Sequence, residues 1–152
     1  MKNTTILIST LTGLLGVNAF AEISTIQYSA GMAITDCKGT CTIEFPKTTN
    51  QEINLIVSKT PTPPGLVGEK TIKQPLSDGS IAYSHLEVVI QKKNVFTTVN
   101  VRLIGADGKL LCGANAMKSG KLKRGKADIA LYQNAVCRLG DFSRIISVDY
   151  KN

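Results

Sequence analysis

The residues best equipped for chemistry in this 152-residue chain are four cysteines and one histidine. Two of the cysteines frame the stretch Cys37-Lys38-Gly39-Thr40-Cys41; the others are Cys112 and Cys137. Such thiols can form a redox centre, half of a zinc site, or structural staples. A thioredoxin-like centre needs C-x-x-C at a helix start, where the helix dipole lowers a thiol pKa. Here three residues intervene, and the following "TIEF" (42–45) reads as a strand. A zinc site needs four thiol or imidazole ligands in paired short spacings. Cys112 and Cys137 are far apart in sequence, and His85 is far from every cysteine. No metal and no cofactor is expected.

His85 has Tyr83, Ser84 and Glu87 as neighbours. Strand alternation places Ser84 on the opposite face from His85, and a Ser-His-acid site is defined by spatial roles. His85 therefore reads as an ordinary strand residue, and no catalytic residue is assigned. The segment "PGLVGEKT" (64–71) departs from a phosphate loop, which needs G-x-x-x-x-G-K-S/T. Glu69, directly after the second glycine, opposes phosphate. The acids are scattered singly, which is unlike a calcium site.

Compartment decides among the cysteine readings. Lys2 is the only charge before Glu22, and an apolar run extends from Ile6 to Val17. Ala19-Phe20-Ala21 follows. This is the layout of a secretory leader over 1–21, cleaved after Ala21. The run is too short and too interrupted to span a membrane comfortably. Residues 22–152 then form one domain in an exported chain: periplasmic, cell-surface or extracellular. Oxidising compartments drive an even number of thiols into disulfides. Geometry favours the pairs 37–41 and 112–137, although chain entropy favours the crossed alternatives.

The elements that position these residues read mostly as strands. Ile26, Tyr28, Ala30, Met32 and Ile34 alternate with polar or small residues. "INLIVS" (53–58) is a second run. Residues 59–79 are rich in proline and glycine and read as a long loop, with a short edge strand near "EKTIK". "IAYSHLEVVIQKK" and "VFTTVNVRLIG" form a hairpin across Lys92–Asn94. Asp107-Gly108 marks a further hairpin turn of type I′. The segment 126–133 is read as a strand, while Ile129, Tyr132, Val136 and Leu139 also fit a short helix near 128–139. Asp128 would cap that helix and Gly140 would end it. The resulting class is all-β: an antiparallel β-sandwich, Ig-like or barrel-like, with about eight strands.

Charge supplies the remaining signal. The chain carries 18 basic and 11 acidic side chains, a net +7. Lys118, Lys121, Lys123, Arg124 and Lys126 lie within nine residues without an acid, and Gly120 and Gly125 mark an exposed loop. Such a loop attracts polyanions, including lipopolysaccharide, sulfated glycans and nucleic acid. The expectation is an exported non-enzymatic interaction protein that binds an anionic surface or glycan. A fimbrial or adhesin subunit fits, with its N-terminal strand offered to a protein partner in an oligomer. The alternatives are a small secreted enzyme or toxin using His85, or a periplasmic enzyme inhibitor. A basic inhibitor of a basic lysozyme would be electrostatically odd.

Overall fold

The computed structural model describes residues 23–47, 51–58, 66–124 and 126–151. The leader expected over 1–21 lies outside the described residues. Eight strands follow in order: β1 (Ile23–Cys37), β2 (Gln51–Ser58), β3 (Leu66–Pro75), β4 (Ile81–Gln91), β5 (Asn94–Ile104), β6 (Leu110–Lys121), β7 (Leu131–Leu139) and β8 (Phe142–Lys151). They pair antiparallel in two four-stranded sheets. The first sheet has the order β2-β1-β8-β7 and the second β3-β4-β5-β6. The sheets approach each other along β6–β7 and, less closely, along β2–β3. The architecture is therefore a sandwich with a barrel-like tendency.

Period-two alternation explains the packing. On β4, Ala82, Ser84, Leu86, Val88 and Ile90 are buried. Their partners on β5 are Leu103, Val101, Val99, Thr97 and Val95, all fully buried. Ile26, Tyr28, Ala30 and Met32 of β1 face them from the first sheet, with Ile146, Val148 and Tyr150 of β8. Two hydrogen bonds cross this core. Tyr28 Oη meets Thr97 Oγ1 at 3.1 Å, and Ser84 Oγ meets Tyr150 Oη at 2.7 Å. Each satisfies a hydroxyl that would otherwise be costly to bury. After β6, Ala127 and Ile129 turn inward and close one end of the core. At the other end Arg144 is buried among Asp36, Asp78 and Ser80.

The cysteines pair as Cys37–Cys41 and Cys112–Cys137. The second bridge joins β6 to β7, and so ties one sheet to the other. The first closes a bend beyond the end of β1. Cys41 stands in irregular chain, so this bridge does not link two facing strands.

Several expectations need correction. No helix forms near 128–139. Segment 127–130 is irregular, and β7 follows, paired to β8 from Leu131↔Tyr150 to Leu139↔Phe142. The strand wins because Leu131, Ala135 and Cys137 then all face the core, and Cys137 reaches Cys112. Gly140, at φ 63°, serves the β7–β8 turn rather than a helix cap. "TIEF" is irregular as well. Phe45 instead sets its ring edge against Tyr132, at 6.3 Å and 80°, on the outer face of the first sheet. Half of the expected 59–79 loop is β3, which runs antiparallel to β4 and ends at Pro75. At Asp107-Gly108 only Gly108 has a positive φ, of 80°. The turn is built on a Gly108 N–H bond to the Gly105 carbonyl (2.9 Å), so it is not type I′.

Candidate functional site

The five basic residues singled out in sequence do not form one loop. Lys118 and Lys121 belong to β6. The Lys118 ammonium donates to the Ala130 carbonyl at 3.1 Å and so bridges the gap towards β7. Only the chain beyond Lys121 turns. Lys123 and Lys126 exchange backbone hydrogen bonds of 2.8 and 3.0 Å, with Arg124 at the tip. This turn does not stand alone. The Leu122 N–H donates to the Lys93 carbonyl at 2.8 Å, and Asn94 pairs with Lys121. The β4–β5 turn, Lys92-Lys93, is thereby fastened beside the 122–126 turn.

The result is a basic end comprising Lys92, Lys93, Lys121, Lys123, Arg124 and Lys126. All six side chains are exposed. None has a side-chain hydrogen bond or ion pair among the described residues. Lys92 (φ 59°) and Arg124 (φ 51°) are also the non-glycine residues with positive φ among those described. A side chain in that left-handed region costs about 1–2 kcal/mol, which glycine would avoid. Both strained positions are basic, and both lie at neighbouring hairpin tips. The tight turns at Gln91↔Asn94 and Lys123↔Lys126 impose this conformation, and basic residues occupy it at both.

His85 lies on the outer face of the second sheet, which is a different place. Register puts Thr71, His85, Asn100 and Asn115 in one row across the four strands. The next row holds Lys73, Tyr83, Arg102 and Gly113. His85 Nδ1 contacts Thr71 Oγ1 at 2.8 Å. Its Nε2 lies 3.3 Å from Glu87 Oε1 and 3.6 Å from Glu69 Oε2. A carboxylate can only accept, so Nε2 carries a proton. In the neutral ring Nδ1 is then the acceptor, and the Thr71 hydroxyl donates to it. Ser84 points into the core, as alternation requires, and is bonded to Tyr150. Thr71 and Glu69, from β3, join His85 only through strand pairing.

Hydroxyl, imidazole and carboxylate thus line up on this face, as they do in hydrolytic sites. The backbone of β4 does not complete such a site. β4 is paired on both sides, so its backbone N–H groups serve the ladders and cannot line an oxyanion hole. Among the described residues no group of three or more His, Cys, Asp or Glu is arranged to hold a metal ion. No helix among them is long and apolar enough to cross a membrane. Comparisons with known family models, curated proteins and solved structures return no match.

Proposed function

We propose that this chain is an exported, non-enzymatic binding module whose basic end holds anionic glycans. The observation that carries the reading is the Leu122–Lys93 hydrogen bond, which gathers two basic turns into one surface. Six unpaired cations on adjoining tips match a repeating anion better than a single charge. The two disulfides are compatible with an oxidising, exported location. β1 lies between β2 and β8 in its own sheet. That placement favours a self-contained module over a fibre subunit that donates its first strand.

Heparin and lipopolysaccharide test the proposal. Binding should weaken as salt rises, because the Debye length falls from about 10 Å at 0.1 M to about 3 Å at 1 M. Replacing Lys121, Lys123 and Arg124 by serine should weaken binding about tenfold or more at low salt. Replacing Lys92 and Lys93 should act in the same direction. Changing Lys38, Lys109 and Arg138, at the other end of the strands, removes the same charge as the first triple and should have little effect. Equal losses from the two triples would assign binding to overall charge, and no binding at low salt would reject the site.

The Thr71–His85–Glu87 alignment supports a second reading, a small enzyme, and one variant separates the two. His85→Ala should leave heparin binding within about twofold and stability within about 1 kcal/mol, as is usual for a partly exposed residue. Turnover of an ester or glycoside by the wild type, abolished in a normally folded His85→Ala protein, would establish the enzyme instead.

A further inference from the structure

The outer face of the second sheet carries two adjoining concavities of about 360 and about 310 Å³. They share Asn100 and Arg102, so the two form one groove across β3 to β6. Its polar groups differ in their state. Thr71, His85 and Glu87 satisfy one another and make a wall. Arg102, Asn100, Asn115 and the Tyr83 hydroxyl have no hydrogen-bond or ion-pair partner among the described residues. Four polar side chains therefore point into one groove with their bonding capacity unused.

From this arrangement we infer that the groove binds a carboxylate-bearing saccharide. The guanidinium of Arg102 is a planar fork that matches a carboxylate through two parallel bonds. Lys73, over the Tyr83 ring at 5.5 Å, adds a second positive charge in the same row. Asn100 and Asn115 each offer a donor and an acceptor, the complement that sugar hydroxyls require. Gly113 lies beside Arg102 and gives the groove a low floor. A Cβ there would stand 3.6 Å from the Arg102 Cγ. Ile104 and Leu110 supply an apolar lip for the C–H face of a ring; Leu110 is 60% exposed. Glu69 and Glu87 lie on the far side of His85 and repel a densely charged chain. The groove therefore selects one carboxylate per sugar, whereas the basic end suits polyanions.

The test is a titration of the full folded protein followed by backbone amide NMR, at a salt concentration that abolishes heparin binding. The probes are a hyaluronan tetrasaccharide, which contains glucuronate, and neutral maltotetraose. The hyaluronan fragment should shift amides around Tyr83, Asn100, Arg102 and Gly113, and maltotetraose should bind at least about tenfold more weakly. Arg102→Gln should lower the affinity for the acidic probe about tenfold or more. Arg102→Lys, which keeps the charge and loses the fork, should recover only part of it. Serine at Lys121, Lys123 and Arg124 should change nothing. That control keeps failure of the groove distinct from failure of the basic end. Equal affinity for both probes, an unchanged Arg102→Gln, shifts confined to the basic turns, or no binding would each overturn the inference.

Discussion

Replacing both Cys112 and Cys137 by alanine should cost about 3.5 kcal/mol of stability, against about 2 kcal/mol for Cys37 and Cys41. The difference follows from loop length. The first bridge spans 25 positions and the second only 4. A longer tether removes more conformations from the unfolded chain. Position should reinforce this ranking. Cys112 is on β6 and Cys137 on β7, the two strands that bound their sheets on one side and share no ladder. Their approach depends on the bridge, on Lys118 reaching Ala130, and on apolar contact. Cys37–Cys41 closes a bend that carries no core residue. Urea unfolding of each double variant, with the slope checked for a change in exposed surface, gives the comparison. Equal losses would show that the sheets hold together along β6–β7 without the bridge. A larger loss at 37–41 would show that the bend organises the outer face of the first sheet.

What the sequence discloses here depends on how far apart the cooperating residues are. The core faces of β4 and β5 are legible because period-two alternation is a local property. The all-β class follows for the same reason. The segment 128–139 misleads because Tyr132 and Val136 are apolar yet stand on the outer face, 51% and 54% exposed. Treated as buried, they mimic a helical stripe. The basic end is half legible. A dense run of lysines announces itself, but Lys92 and Lys93 join it only through the β5–β6 register. Counting outward equally from Asp107-Gly108 places Asn94 opposite Lys121, as observed. The hairpin turn therefore contained that information. The groove is legible in the same way: counting outward from Lys92-Lys93 sets His85 against Asn100 and Tyr83 against Arg102. Thr71 is harder to place, because β3 emerges from a proline-rich stretch that reads as loop. Nothing local marks Arg144 as buried. A lone arginine in "FSRIISVDY" looks like a solvent residue until Asp78 arrives from a distant turn.

That arginine should make the protein acid-sensitive. Arg144 Nε and Nη2 bind the two carboxylate oxygens of Asp36 at 2.6 and 2.8 Å, and Nη1 binds Asp78 at 2.6 Å. Asp36 ends the inner face of β1, and Asp78 sits in the β3–β4 turn, so the guanidinium clamps the two sheets at the end opposite the basic turns. The bond from Arg144 holds the Asp36 carboxyl below its usual pKa. Asp78 is held lower still, first by the Ser80 hydroxyl and then by Arg144. Groups with depressed folded pKa values stabilise the fold above their unfolded pKa of about 3.9, and that contribution disappears as pH falls through the folded values. Stability should therefore be level near neutrality and fall below about pH 4, with unfolding taking up as many as two protons. Arg144→Met should cost about 2 kcal/mol at pH 7, in the range for lost charge-assisted hydrogen bonds. The loss is held to that size because both acids remain about half exposed and can rehydrate. The same variant should flatten the acid limb, since Asp36 then titrates much as it does unfolded. Asp36→Asn should cost little in the Arg144→Met background and clearly more in the wild type. Urea midpoints between pH 2.5 and 7 for the four proteins of that cycle decide the matter. An acid limb as steep in Arg144→Met as in the wild type would place the titrating groups elsewhere.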